Sequence, residues 1–370
     1  MWHFWKHGYS PIGVDLDTRS IKLVQLTADG RTLTEAVRSD RASDSETEDT
    51  DAVEQTAQRL RKALSKGHFH GRNAVFCIPT AELVTQNVRV PDGDLAGLRS
   101  LVADECARRL GLTPETMELR YLDVGTVRQG ESVRREVILL GAHSESPERL
   151  AQIATAAGLE LCGIDAEPMA LLRCRLRQFR REEDQLEPKM FVTIGYRITQ
   201  MMIVRDQQPS FLKSVPVGGK ELDAAVCQSL QLRPEAAHAL RRNYGDRRKS
   251  HRDPEVMRSV QQAVGPLLER LAAEIGMAVR YFSVTFRGEP PTRVIVGGSE
   301  ADDLIRDFLQ QRIHATVELS DPVRAFELRS RVPQPLEWET AIGLALFGVG
   351  ENPCSSKHGV FTETLQGATP

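Results

Sequence analysis

The sequence predicts an α/β protein built of two similar lobes, and three observations carry that expectation. A strand–turn–strand hairpin occupies 12–26, a second of like pattern occupies 191–204, and 370 residues with 41% hydrophobic content supply more core than one typical domain uses. In the first hairpin Ile12, Val14 and Leu16, then Ile21, Leu23 and, less regularly, Leu26, keep the period of two that strands need. Residues 17–20 between them are polar and turn-forming.

The tip of that hairpin carries Asp15, Thr18, Ser20 and Lys22. Such a set suits a magnesium-bound phosphate: a carboxylate orients the metal and its water, hydroxyls and turn amides face phosphate oxygens, and a lysine offsets their charge. The same residues also make an ordinary surface hairpin, and on the residues alone both readings stand.

The remaining elements follow in order. The aromatic start, Trp2, Phe4 and Trp5 within 1–7, reads as a short strand or tail packing on its own lobe rather than as a membrane contact. Residues 39–51, rich in Ser, Asp and Glu, read as a solvated loop, and 52–64 as a helix with Val53, Ala57, Leu60 and Leu64 on one face. A strand over 74–78 is broken by Pro79, and 84–90 is extended up to Pro91. Then come a helix over 95–110, strands over 118–127 and 135–141, and a helix over 147–157 stopped by Gly158. Asp165 and Glu167 read as acids capping a helix that begins near Pro168, and 173–189 as a charged bridge.

The second hairpin places strands at 191–195 and 201–204 around a turn at 196–199. A third strand spans 211–217, and Gly218–Gly219 opens a helix through Leu230. The basic stretch 243–253 reads as an exposed loop. A long helix over 253–282 has Val256, Val260, Val264, Leu267, Leu271, Ile275, Val279 and Phe282 on one face, with a kink or restart expected at Gly265–Pro266. A buried strand at 293–296 runs into Gly297–Gly298, where absent side chains let backbone approach a flat base. A final helix is expected over 337–347, and the chain beyond 350 is polar.

A formal net charge of −3 gives no electrostatic case for nucleic acid. The six cysteines lack metal spacing, and most sit in apolar patterns, as expected of buried reduced thiols in a cytoplasmic protein. The sequence shows neither an apolar run of the roughly 18 residues that spanning a membrane takes nor a signal peptide before the hairpin.

The opening motif, Gly13-x-Asp15 followed by Ser20-x-Lys22-Leu23-Val24-Gln25-Leu26, resembles the first phosphate loop of the actin-like ATPase superfamily, in particular its PilM family of type IV pilus assembly proteins. The run 159–173 is similar to that family's return into its first lobe, the hairpin at 191–204 to its second phosphate loop, and Gly297–Gly298 to its adenosine motif. The resemblance implies a duplicated, actin-like (ribonuclease H-like) two-lobe fold with an inserted α+β subdomain. On that basis 1–82 is the first lobe, 83–160 the insertion, and 161–188 a return helix and bridge; 189–332 is the second lobe, 333–350 a helix returning to the first, and 351–370 a disordered tail.

The resemblance also implies a ligand, ATP with magnesium, held by Asp15, Thr18, Ser20, Lys22, Gly195, Thr199, Glu274, Gly297 and Gly298, with Asp15 on the metal. It implies partners: the tail of a PilN-like inner-membrane protein, captured between the first lobe and the insertion, and other pilus assembly proteins, at the cytoplasmic side of the inner membrane. It leaves a homo-oligomer open. Three positions depart from the family pattern: Asp17 stands where a small residue is usual, Thr193 where an acid is usual, and Met277 where an arginine follows Glu274–Ile275. Weak or absent hydrolysis is therefore expected, and no residue is assigned a catalytic role. The alternatives are an active ATPase or phosphotransferase of the same superfamily, and a cell-division (FtsA-related) or type II secretion adaptor.

Overall fold

The computed structural model describes residues 8–40, 49–92, 117–130, 132–179, 187–243 and 253–349, with helical positions at 100, 101, 104, 107 and 108. The rest of the helix expected over 95–110, the aromatic start, most of the loops at 39–51 and 243–253, and the tail beyond 350 lie outside the described residues. The chain divides into two compact units, one of Met1–Leu186, Asp206–Ser210 and Asp321–Pro370, the other of Glu187–Arg205 and Phe211–Ser320.

The first unit begins with β1 (Ile12–Leu16), β2 (Ser20–Leu26) and β3 (Thr32–Asp40), then α1 (Asp49–Leu64) and β4 (Asn73–Ile78). It continues with β5 (Leu83–Pro91), β6 (Met117–Gln129), β7 (Ser132–His143), α2 (Glu145–Ala156), β8 (Glu160–Ala166) and α3 (Glu167–Leu176). The second holds β9 (Lys189–Ile194), β10 (Thr199–Arg205), β11 (Gln208–Val215) from Phe211 on, α4 (Gly219–Leu230), α5 (Pro234–Asn243), α6 (Pro254–Phe286), β12 (Arg293–Gly297), α7 (Asp303–Gln310) and β13 (Thr316–Leu319). The chain then rejoins the first with β14 (Glu327–Leu328) and α8 (Glu339–Ala345).

One strand order occurs twice. The first large sheet runs β14-β3-β2-β1-β4-β8 and the second β11-β10-β9-β12-β13, so each sets three consecutive strands side by side and adds two more beyond the first of them. In both, the added strands are parallel to that first strand: β1 to β4 and β4 to β8; β9 to β12 and β12 to β13. This is the duplicated actin-like, ribonuclease H-like arrangement.

The first sheet is covered on both faces, so β2 is buried along its whole length and a period of two cannot show which side is core. On one face Ile12, Val14, Ile21, Leu23 and Phe76 pack with Ala57, Leu60 and Ala63 of α1 and Leu150, Ile153 and Ala154 of α2. On the other, Val24, Leu26 and Leu33 pack with Trp338, Ala341, Ile342 and Ala345 around α8. Helix α2, which the sequence grouped with the insertion, thus contributes to the core of the first sheet. The small sheet β5-β7-β6 stands apart as its own three-stranded layer with Val88, Val90, Val137 and Leu139 at its centre.

Helix α6 runs unbroken through Pro266, contrary to the expected restart. Pro266 and Gln262, whose carbonyl the proline leaves without its helical donor, lie on the exposed face, so the freed group is not buried. The buried stripe is Val260, Val264, Leu268, Leu271, Ile275, Ala278 and Phe282, so Leu268 and Ala278 take core places the sequence assigned to Leu267 and Val279.

Candidate functional site

Ligands of open α/β sheets sit outside the carboxyl ends of the parallel strands, and in the first unit those ends are acidic. Asp15 on β1, Cys77 on β4 and Asp165 on β8 each stand one residue before the end of their strand. Asp15 lies directly opposite Lys22 in the β1–β2 ladder, and Asp17 follows at the period that returns a side chain to the same side. The Lys22 ammonium, 2% exposed, accordingly donates to Asp15 Oδ2 at 3.0 Å and to Asp17 Oδ2 at 3.2 Å. The other oxygen of Asp17, Oδ1, accepts the backbone N–H of Thr18 at 2.6 Å. Ser20 is buried at the start of β2.

The electrostatics follow from burial. Loss of water pushes the Asp15 carboxyl up to about 7 against the pull of Lys22, with Asp17 and Glu167 adding to the rise. Burial also opposes the charge on Lys22, yet Asp15 and Asp17 hold that ammonium above its ordinary range.

Asp165 and Glu167, expected to cap α3, do other work. Ala166 is the N-cap and its side chain makes no capping bond, while its backbone N–H donates to Asp165 Oδ1 at 2.8 Å. Asp165 pairs with Arg173, whose Nε also donates to Gly343 O at 3.2 Å, and burial raises the Asp165 carboxyl despite that partner. Glu167 accepts the Thr80 N–H at 2.6 Å and the Thr340 hydroxyl at 3.4 Å, and desolvation raises its carboxyl too. Glu167 stands in the first turn of α3, at the helix start the sequence predicts, and what the sequence did not show is that its carboxylate there also lies near Asp15 and Asp17. Arg173 and Arg175, expected in a charged bridge, are buried within α3.

In the second unit the predicted residues gather around the β9–β10 turn. Gly195 N–H closes the turn on Ile198 O at 3.0 Å, and the buried Thr199 hydroxyl donates to Val217 O at 2.6 Å. The opening of α4 is tied to the same turn: Gly219 N–H donates to Gly195 O at 3.0 Å and Lys220 N–H to Tyr196 O at 2.8 Å, while Gly218 N–H donates to Glu221 Oε2 at 3.0 Å. Gly297 ends β12 opposite Thr193. Gly298, at φ +95°, presses on the Ile194 backbone, where a Cβ would come 2.5 Å from the carbonyl oxygen. The glycine there serves a backbone-on-backbone contact. Glu274 is drawn to β11 by Lys213, whose Nζ donates to Oε2 at 2.6 Å.

Beside the glycine turn lies a buried charged network absent from the sequence reading. Arg241 donates from Nε to Asp223 Oδ1 and from Nη2 to Glu300 Oε2, each at 2.6 Å, and His238 Nδ1 lies 3.0 Å from Asp223 Oδ2. Glu300 rests against Gly219, where any β-carbon would collide with its carboxylate.

A magnesium-bound triphosphate needs free donors for its oxygens and open carboxylate positions for the metal. In the first hairpin the Thr18 amide and the Lys22 ammonium already serve Asp17, and among the described residues no group of three His, Cys, Asp or Glu side chains is arranged to hold a metal ion. The residues as placed do not fit a phosphate there. Among the described residues, no helix is long and apolar enough to cross a membrane.

A family model described as type IV pilus assembly protein PilM matches residues 13–348. Among solved structures, the chain is similar to a chain of a PilM–PilN type IV pilus biogenesis complex, with 20% identity, 92% of this chain and 99% of that one covered, and a TM-score of 0.75. It is also similar to the ethanolamine utilization protein EutJ from Carboxydothermus hydrogenoformans, with 17% identity, 92% and 90% covered, and a TM-score of 0.56. At these identities the likeness is one of fold. No curated protein sequence matches significantly.

Proposed function

We infer that this chain, which belongs to the PilM family of type IV pilus assembly proteins, is an actin-like scaffold that captures the N-terminal tail of a PilN-like inner-membrane protein on its cytoplasmic face. The observation that carries the reading is the family match across 13–348 together with the repeated strand order of the two sheets. Support for a PilN-like partner comes from a similar solved structure described as a PilM–PilN complex, aligned over 99% of its length. A capture site on the insertion is supported by the small sheet, whose outer strands β5 and β6 offer edges of the kind an extended peptide joins.

Nucleotide plays a lesser part in this reading: the first hairpin as placed does not fit a phosphate, and hydrolysis is expected to be slow or absent. Phosphoryl transfer depends on positioned charge. Thr193 brings no carboxylate to the end of β9, Met277 is a thioether 44% exposed on α6, and Asp17 adds a negative charge to the first hairpin. Glu274, carried over as a nucleotide contact, has Lys213 as its partner.

The test removes the small sheet without touching the core. Val84 and Gly141 are directly paired across β5 and β7, so an Asn-Gly turn can join them in place of residues 85–140 while α2 stays in the first core. We expect this variant to stay folded and to lose capture of the tail. Undiminished capture would remove the insertion from the binding site.

A further inference from the structure

We propose that Asp17 is a resident anion: its carboxylate occupies the place of a phosphate in the first hairpin and holds that hairpin in a ligand-bound shape with nothing bound. The proposal deepens the reading above and rests on it, since it takes the hairpin to be a phosphate loop by descent.

The geometry uses both oxygens of one side chain. Oδ1 takes the Thr18 backbone N–H at 2.6 Å, and Oδ2 takes the Lys22 ammonium at 3.2 Å. A turn amide and a lysine are the two donor types that phosphate loops supply. Here a carboxylate with the charge and acceptor chemistry of a phosphate oxygen has both. Lys22 is 2% exposed and also donates to Asp15 Oδ2 at 3.0 Å, so its charge is shared between two fixed carboxylates. An incoming phosphate must displace an acceptor tethered to the backbone through a short side chain, always at high local concentration, and must do so in the field of Asp15 and Asp17. Any ordering a phosphate would bring to this hairpin is already present.

Three consequences separate this arrangement from a merely weakened site. Removing the side chain frees the Thr18 amide and takes from Lys22 one of its two carboxylate partners, so Asp17→Gly gains phosphate binding. Asp17→Asn keeps an oxygen for the Thr18 amide while removing the charge, so its gain is smaller. The Thr18 amide is protected from hydrogen exchange in the unliganded protein and loses that protection in Asp17→Gly.

The experiment titrates the full chain and both variants with magnesium pyrophosphate and with magnesium ATP by calorimetry, with folding checked by thermal melts and tail capture assayed on the same preparations. We expect no saturation in the wild type at concentrations that saturate Asp17→Gly, and at least a tenfold gain in affinity for that variant. Equal affinity in wild type and Asp17→Gly overturns the proposal, as does the absence of a gain in both variants; should the glycine variant not fold, Asp17→Asn and the exchange rate of Thr18 in the wild type decide it. Tail capture that survives such an outcome leaves the scaffold reading intact, whereas a phosphate gain without tail capture supports the resident anion and removes the partner.

Discussion

The guanidinium of Arg175 and the carboxylate of Glu339 meet at two points, Nε to Oε1 at 2.9 Å and Nη2 to Oε2 at 2.7 Å, with each side chain 1% exposed. This pair ties α3 to α8 across 164 residues of chain. Removing one partner takes away the opposite charge that compensates the other in a buried place, so Glu339→Ala is expected to cost about 3–5 kcal/mol. Arg175→Met combined with Glu339→Leu restores most of that loss, because neither charge then remains. Urea unfolding of the two variants checks both halves of the prediction.

The same helix pair is held by a contact that admits no side chain. A β-carbon on Gly343 would collide with the carbonyl oxygen of Ala170, and one on Gly13 with that of Ala341. Gly343→Ala must push α8 off α3, at an expected cost of about 1–3 kcal/mol from overpacking. The decisive reading is the urea midpoint; a midpoint equal to that of the wild type would mean the two helices are not this close in solution.

Asp15 makes stability depend on pH in a stated direction. Its folded carboxyl is raised from 3.8 to about 7 by burial, so in that interval the folded protein keeps a proton that the unfolded chain has lost. Its contribution is fully present below pH 3.8 and is lost as pH rises through about 7. At 1.36 kcal/mol per unit this amounts to up to about 4 kcal/mol. Asp15→Asn, which cannot titrate, should gain stability relative to the wild type as pH rises across that window. Unfolding free energies measured at several pH values test it, and a constant difference would contradict it.

Much of the fold was legible because its signals are local. The period of two in 12–16 and 20–26, the glycines at 218–219 and 297–298, and the heptad-like stripe of α6 each depend on neighbouring residues alone. What escaped depends on distance in the chain. Arg173 and Arg175 look like residues of a charged bridge until Asp165, Gly343 and Glu339 are placed beside them. The position of Asp17 was legible as a departure from a pattern, but its use of both the Thr18 amide and Lys22 is a fact of geometry. Glu167 stands at a helix start as its place before proline predicts, but its bonds to Thr80 and Thr340 escaped because those partners lie 87 and 173 residues away.

The central claim is that the chain captures a tail and does so without help from nucleotide. The most direct measurement is calorimetric titration of the full chain with a peptide of the N-terminal tail of the PilN-like protein, in the absence and presence of magnesium ATP, with phosphate release followed in parallel. The account predicts saturable one-to-one binding, an affinity changed by less than about twofold by nucleotide (about 0.4 kcal/mol, small beside the 1–3 kcal/mol typical of allosteric coupling), and no phosphate release above background. Absence of tail binding together with steady ATP turnover that Asp15→Ala abolishes would contradict it.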